Sequence, residues 1–150
     1  MRMMRATERE GGLSFRRNFP GTPEKVRDVL GEIARLVTVS QFAPPVNSMW
    51  EVGLAEALNN VVEHAYKGCA DGEILLDICF GSKGLSARIV DFGAPMPDGA
   101  LPPGDATSLD VPMQEIPEGG FGWFLIRSLA EHLEYRRENG ANQLDMYLPF

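Results

Sequence analysis

The sequence predicts an α+β fold in which helices cover one face of an open, mostly antiparallel sheet, forming a two-layer α/β sandwich. Stretches with helical apolar spacing are mixed with stretches of alternating apolar residues, and hairpin-type turns join the latter. The chain has 150 residues, 44% hydrophobic and 23% charged, which fits one domain with a single core. We assign this domain to residues 13–150 and treat residues 1–12 as an N-terminal extension that need not be ordered.

The first predicted elements are a strand and a helix. Apolar and polar side chains alternate in residues 13–19, as in a strand with one buried face, although Arg17 interrupts the pattern. Thr22 offers a hydroxyl that can cap a helix, and Pro23 has the backbone angle of a first helical residue. Apolar residues then recur at helical spacing, so we expect a helix from Pro23 to near Ser40.

A second helix and a hairpin follow. Two consecutive prolines at 44 and 45 break the chain before a helical pattern over roughly residues 47–67. Residues 74–80 and 85–92 read as strands, because apolar residues dominate them and a glycine-flanked turn joins them.

The last third of the chain holds a long loop, a helix and two strands. The stretch from Gly93 to Gly120 is rich in proline and glycine and lacks periodicity, which at this length is typical of a functional lid or of disorder. A third helix is predicted up to about His132, then a strand over 133–137, a turn over 138–142 and a strictly alternating strand over 144–150. We expect Arg136 and Arg137 to be solvated residues of an edge strand.

Charge and hydropathy exclude some functions. A net charge of −7 argues against non-specific nucleic-acid binding, which needs a basic face. No apolar run is long enough to span a membrane, and the first residues lack a signal-peptide pattern, so we expect a cytoplasmic protein without a membrane partner. Residues 89–126 contain no Lys or Arg, so this stretch supplies no cationic side chain.

The polar face of the second helix is the first candidate site. Glu56 and Asn60 are four residues apart and therefore project from one face, and His64 continues the line. A solvated helix face explains this pattern as well, but two adjacent asparagines weaken a helix unless they serve another purpose. A carboxamide oxygen suits Mg²⁺, and a carboxylate one turn away can accept a proton from a hydroxyl. For His64, a structural hydrogen bond and a role toward phosphate are both open.

Two further segments are weak signals when taken singly. Asp91 ends a buried-looking strand and is followed closely by Gly93, so a carboxylate could hold an exocyclic amine while the glycine lets the backbone approach a flat ring. An ordinary strand-ending turn is the alternative. Gly119, Gly120 and Gly122 open the third helix, where unpaired N–H groups favour phosphate.

In this order and spacing, the segments "EALNNVVEHAY", "VDFGAPMP" and "GGFGWFLIRSLAEHLEYRRENGANQLDMYLPF" resemble the N-box, D-x-G box and glycine-rich box of the GHKL (Bergerat-fold) ATPases, the superfamily of DNA gyrase B and histidine kinases. Within it, the chain is most similar to the anti-sigma factor serine kinases of bacteria, over roughly residues 13–150. The resemblance implies an open antiparallel sheet backed by helices, with ATP bound between the second helix and a lid at residues 94–118.

The resemblance also implies roles for individual residues. By position, Glu56 matches the general base, Asn60 the Mg²⁺ ligand, Asp91 the adenine-binding acid and Gly93 the glycine beside it. The three glycines at 119, 120 and 122 match the backbone around the phosphates. With His64, these residues form the expected ATP and Mg²⁺ site.

The implied function is an ATP-dependent serine/threonine protein kinase that phosphorylates an anti-sigma factor antagonist and sequesters a sigma factor, with a homodimer suggested by the same likeness. Because residues 89–126 lack a cation, positive charge at the γ-phosphate must come from Mg²⁺, helix N–H groups, Arg127, Lys67, a second subunit or the substrate. We therefore expect a slow or partner-dependent kinase. The alternatives are a nucleotide-dependent binding switch without catalysis and a detached histidine-kinase catalytic domain.

Overall fold

The computed structural model describes residues 5–9, 11–102 and 120–150. Within these ranges there are six strands, β1 (Arg5–Arg9), β2 (Gly12–Pro20), β3 (Glu73–Phe80), β4 (Gly84–Asp91), β5 (His132–Glu138) and β6 (Ala141–Pro149). The α-helices of the described part are α1 (Pro23–Thr38), α2 (Trp50–Asn60) and α3 (Gly120–Leu129). The strands form one antiparallel sheet in the order β1-β2-β3-β4-β6-β5. The predicted α+β sandwich with an antiparallel sheet is confirmed.

One face of the sheet packs against the helices and forms the core. Every second side chain of β3, β4 and β6 is buried, because successive residues of a strand point to opposite faces. The helices add their apolar stripes, including the fully buried Ile33, Leu54, Leu58 and Ile126. None of the helices in the described ranges is long and apolar enough to cross a bilayer.

The start of α1 follows from its sequence. The Thr22 hydroxyl accepts a hydrogen bond from the backbone N–H of Lys25 at 3.2 Å, and Pro23 is the first helical residue, as predicted. The strand predicted over residues 13–19 is present as part of β2, and Arg17 interrupts its apolar alternation without ending the strand. Its side chain is only 15% exposed and lies 3.8 Å from Glu32 of α1, so the charge is accommodated on the helix side of the sheet.

The sheet begins earlier in the chain than the sequence pattern indicates. Residues 1–12 are predicted as an extension, whereas β1 pairs with β2 in the register that places Arg5 opposite Arg16. Gly11, with a φ of +101°, provides the turn between the two strands. Because β1 is an edge strand of charged and small residues, it carries no apolar alternation that would reveal it.

The second helix is not regular to its predicted end. After α2, residues Val61–Ala65 form a π-helix, in which the N–H of Tyr66 donates to the carbonyl of Val61 at 3.0 Å. Lys67 and Gly68 then end the helical segment with φ values of +51° and +77°. Such widened turns are frequent at functional sites.

Tyr66, just after the π-helix, connects the helical layer to two strands. Its hydroxyl donates to the carbonyl of Glu73 and accepts a hydrogen bond from the N–H of Phe92 at 2.9 Å. Its ring lies where Gly72 has no side chain, since a Cβ there would come within 2.3 Å of the ring. The end of the helical segment is thereby fixed beside the start of β3 and the end of β4.

The turn between β5 and β6 is tighter than predicted. Only Asn139 and Gly140 adopt positive φ, at 52° and 77°, which is the Asn-Gly pattern of a two-residue hairpin. Asn142, predicted to be in the turn, therefore belongs to β6 and pairs directly with Asp91 of β4.

Candidate functional site

A cavity of about 500 Å³ lies between the end of α2 and the neighbouring ends of β4, β5 and β6. Much of its wall is apolar, with contributions from Ile89, Met96 and Leu144. Its polar wall residues include Asn60, His64, Lys67, Asp91 and Asn142. A mostly apolar cleft with a few converging polar groups is the usual form of a small-molecule site.

Asn60 is placed at this cavity by the last turn of α2. It is only 6% exposed, and its Nδ2 is buried with no hydrogen-bond partner among the described residues. A buried amide without a partner is costly and uncommon in native structures. Within the described ranges, the side chain therefore has a donor available for a ligand.

Glu56 lies one turn before Asn60 and faces the first turn of α3. A Cβ at Gly122 would come within 2.8 Å of Glu56 Oε2 and 3.8 Å of Asn60 Oδ1. Glycine at 122 thus lets α3 approach both polar groups closely. Gly120 is the first residue of α3, whereas Gly119 and residues 103–118 of the predicted lid lie outside the described residues.

Asp91 ends β4 on the buried face of the sheet and is 4% exposed. Its Oδ1 accepts hydrogen bonds from the N–H of Gly93 at 2.9 Å and from Nδ2 of Asn142 at 2.8 Å. No described residue donates to Oδ2, which leaves this oxygen for a ligand. Burial raises the pKa of Asp91 above its ordinary value, and the bonds from Asn142 and Gly93 and the charge of Arg137 oppose this rise.

Packing within the protein requires glycine at position 93, in addition to the predicted approach of a flat ligand ring. A Cβ at this position would come within 2.3 Å of the carbonyl oxygen of Ala65, at the end of the π-helix. The next residue, Ala94, donates its N–H to the same carbonyl at 2.8 Å. Only glycine allows the backbone after β4 to pass this close to the helical layer.

The remaining predicted residues divide between the cavity and its surroundings. His64 is exposed and lines the cavity, with Nε2 3.9 Å from Glu63 Oε2, and no hydrogen bond fixes it among the described residues. Lys67 also lines the cavity. Arg127 donates through Nε to the carbonyl of Pro102 at 2.9 Å.

Three residues of the site were missed in the sequence. Asn142 is 5% exposed and bonds to Asp91, while Tyr135 and Arg137 both donate to its Oδ1, at 2.6 and 2.8 Å. Arg137 is an exposed residue of the edge strand β5, as expected, and its guanidinium in addition donates to the carbonyl of Gly93 at 2.9 Å. One signal for Asn142 was present in the sequence. It lies two residues before Leu144 and therefore on the same, buried face of β6, although it is polar.

The residues present fit a divalent cation held jointly with a bound phosphate. No group of three or more His, Cys, Asp or Glu side chains that could bind a metal occurs in the described ranges. Mg²⁺ does not need one, because it commonly keeps several waters and is bound by one or two protein oxygens plus phosphate oxygens. Asn60 offers its Oδ1 to such a cation, while its Nδ2, which has no partner among the described residues, is a donor suited to a phosphate oxygen or a water.

An open antiparallel sheet backed by helices, with a mostly apolar cleft at the end of α2 that holds a few polar groups, is the architecture of a histidine kinase-like ATPase domain. The model of that family matches residues 19–148, and the chain belongs to it. The resemblance to the GHKL ATPases drawn from the sequence motifs is confirmed.

Among characterised proteins, the chain is similar to kinases. It is 37% identical over 92 residues to the serine/threonine-protein kinase BtrW of Bordetella bronchiseptica, a stretch that covers 61% of this chain and 62% of BtrW. It is 27% identical over 128 residues to the serine-protein kinase RsbW of Listeria monocytogenes, covering 83% of this chain and 80% of RsbW. The family and these relatives support an ATP-using enzyme.

Proposed function

We propose that the protein is an ATP-dependent serine/threonine protein kinase that acts as an anti-sigma regulatory factor. The observation that carries the proposal is the convergence of Asn60 and Asp91 on one cavity, with Glu56 and Gly122 in contact beside it. These residues come from α2, β4 and α3, which are distant in sequence, so their meeting is a property of the fold. The similarity to proteins named serine-protein kinases supports the same class of reaction.

Each part of the site has a role in binding. Asp91 accepts a hydrogen bond from the 6-amino group of adenine through Oδ2, since Oδ1 is already engaged by the protein. Asn60 provides the protein oxygen for Mg²⁺, and bound Mg²⁺ would neutralise charge on the phosphates. We assign the phosphates to the N-terminal turn of α3, where Gly120 and Gly122 leave the N–H groups uncovered, and His64 lines the adjoining cavity. Gly119 and the lid remain predictions from sequence.

Glu56 serves as the general base. In the transfer, the hydroxyl oxygen of a serine or threonine forms a bond to the γ-phosphorus, and the bond from that phosphorus to the β–γ bridging oxygen breaks to release ADP. The hydroxyl proton passes to the Glu56 carboxylate. A Cβ at Gly122 would lie close to both Glu56 Oε2 and Asn60 Oδ1, so the Glu56 carboxylate lies beside the proposed Mg²⁺ ligand, where we expect the phosphates.

The shortage of cationic side chains at the γ-phosphate makes the kinase slow or dependent on its partner. Lys67 is the only Lys or Arg in the cavity wall as far as the structure describes it, and Arg127 is engaged with Pro102. Arginines placed at the transferring phosphate contribute about 10³- to 10⁵-fold in other nucleotide enzymes. We infer that a partner protein or a second copy of the chain completes the charge.

The substrate and partners follow from the resemblance of the sequence to anti-sigma factor kinases. The phosphorylated protein is a small anti-sigma factor antagonist, the sequestered protein is a sigma factor, and the reaction takes place in the cytoplasm. The acidic chain, with a net charge of −7, is suited to protein partners rather than to direct nucleic-acid binding.

Replacement of Glu56 tests the proposal. Glu56→Gln should bind ADP with Mg²⁺ as the wild type does, while single-turnover transfer of labelled phosphate to an antagonist protein falls by about 10²- to 10⁴-fold. Glu51→Gln, an exposed glutamate on the same helix, is the matched control and should transfer phosphate normally. Undiminished transfer by Glu56→Gln would exclude the role of Glu56.

A nucleotide-dependent binding switch without catalysis is the second candidate, favoured by the absence of Lys and Arg from residues 89–126. The same labelling experiment separates the two functions. A switch binds ATP and releases or captures its partner, yet transfers no phosphate to any antagonist protein.

A further inference from the structure

The hydrogen-bonding capacity of Asn142 is fully used within the protein. A carboxamide has two N–H donors and one oxygen that can accept two bonds. Its Nδ2 donates to Asp91 Oδ1 and to the carbonyl of Ala94, both at 2.8 Å. Its Oδ1 accepts from the hydroxyl of Tyr135 at 2.6 Å and from Nη1 of Arg137 at 2.8 Å. Asn142 therefore lines the cavity without a free group for a ligand.

The orientation of this amide is dictated by its neighbours. If its oxygen and nitrogen were exchanged, the oxygen would face two acceptors, Asp91 Oδ1 and the Ala94 carbonyl. The NH₂ group would then face the guanidinium of Arg137, which only donates. Only one orientation satisfies all four contacts, so the cluster acts as a unit.

The same cluster also holds the backbone that follows Asp91. Arg137 donates to the carbonyl of Gly93, Asn142 to that of Ala94, and the N–H of Met96 donates to the hydroxyl of Tyr135 at 3.0 Å. This backbone forms part of the cavity wall next to the carboxylate. The acid and the wall beside it are thus fixed by one set of side chains from β5 and β6.

We infer that Asn142 is a positioning residue for base recognition, which acts through Asp91 and the backbone of residues 93–96 and is supported by Tyr135 and Arg137. The inference rests on the proposed nucleotide site. Asn142 holds Oδ1 of Asp91, so that Oδ2 remains turned to the ligand and the carboxylate cannot rotate. It thereby sets how well the site distinguishes a 6-amino purine, whose amino group donates to Oδ2, from a 6-oxo purine, whose oxygen at position 6 only accepts.

The test measures base selectivity rather than activity. Calorimetric titrations give the affinities of the full chain for ADP and for inosine diphosphate, which carries oxygen at position 6, and their ratio is the readout. Asn142→Leu, of similar size, removes the hydrogen bond that Asn142 donates to the Asp91 carboxylate. The carboxylate is then less firmly oriented toward the base, and the preference for ADP over IDP should fall by about tenfold or more. A purely structural role would weaken both nucleotides equally, and that result would overturn the inference.

Milder variants keep the test decisive if Asn142→Leu fails to unfold cooperatively. Tyr135→Phe and Arg137→Ala each remove one support of the amide and should reduce the preference by roughly twofold to tenfold. Arg136→Ala is the matched control, because the charge of Arg136 affects the pKa of Asp145 and not the cluster around Asn142. This variant should keep the wild-type ratio of ADP to IDP affinity. Wild-type ratios in both Tyr135→Phe and Arg137→Ala would overturn the inference.

The titrations distinguish failure of the proposed nucleotide site from failure of the positioning role of Asn142. If the wild-type chain binds neither nucleotide, the proposed function is wrong, and the inference falls with it. If the wild type prefers ADP and Asn142→Leu keeps the full preference, the nucleotide site stands and only the positioning role is excluded.

Discussion

Replacement of Asp91 by asparagine isolates the contribution of one oxygen. The amide Oδ1 can still accept from the N–H of Gly93 and from Asn142, so both observed hydrogen bonds survive. The second atom, however, changes from an acceptor to an NH₂ donor, which opposes the 6-amino group of adenine. A hydrogen bond to a charged group contributes about 1.5–3 kcal/mol, so we expect ADP affinity to fall by about 10- to 100-fold.

The stability of the variant should not fall with its affinity. Burial raises the pKa of Asp91 above its ordinary 3.8, so the folded state favours the protonated acid. This favourable contribution is complete below the unfolded-state pKa, and it is lost as the pH rises through the raised folded-state pKa. At pH 7, Asp91→Asn lacks the buried charge and should unfold at the same or a higher temperature than the wild type.

Calorimetry and thermal unfolding together test the role of Asp91 in base recognition. We expect weaker ADP binding and unchanged or stronger binding of inosine diphosphate, because the new amide can donate to the 6-oxo group. Between pH 3.8 and neutrality, the wild type should lose more stability with rising pH than the variant. If ADP affinity were unchanged, or if its loss accompanied a large drop in stability, the assignment of Asp91 to base recognition would be refuted.

Three other predictions concern the metal, a close backbone contact and the hydroxyl of Tyr66. Asn60→Ala should abolish the Mg²⁺-dependent part of ADP affinity, seen by calorimetry with Mg²⁺ and with chelator; an intact Mg²⁺ effect would contradict the role of Asn60. Gly93→Ala should cost about 1–3 kcal/mol in denaturant unfolding, since its Cβ would lie 2.3 Å from the Ala65 carbonyl oxygen, whereas the control Gly31→Ala in α1 should stabilise by about 0.5–1 kcal/mol. Tyr66→Phe removes the partner of the Phe92 N–H and of the Glu73 carbonyl and should cost about 0.5–1.5 kcal/mol in the same assay; equal stability would show that water replaces the hydroxyl.

The parts of the fold that depend on local periodicity could be predicted from the sequence. The cap at Thr22, the alternation in β3, β4 and β6, and the apolar stripes of α1 and α2 each arise from a few neighbouring residues. The candidate residues Asn60, His64 and Asp91 were found because they stand in ordered motifs, and the structure brings them to one cavity.

The features that escaped prediction depend on contacts between distant segments. Asn142 was placed in a turn because Asn and Gly dominate its surroundings, and only the pairing of β4 with β6 sets it opposite Asp91. Arg137 looks like any exposed strand residue until the backbone of Gly93 is brought to it. The π-helix after α2 has no local sequence signal, since it results from what the helical segment contacts at its two ends.

The π-helix at Val61–Ala65 changes the rotation of the helical segment about its axis, between two parts whose orientations are each fixed by packing or hydrogen bonds. Upstream, the packing of Leu58 in the core sets the angle at which α2 presents Asn60. Downstream, the hydrogen bonds of Tyr66 to two strands set a second angle, and a uniform helix of 3.6 residues per turn need not meet both. A uniform α-helix of the same number of residues would turn Tyr66 by about 100° relative to Asn60, because the π-turn absorbs one residue. The widened turn therefore lets Asn60 face the cavity while Tyr66 keeps its bonds to both strands.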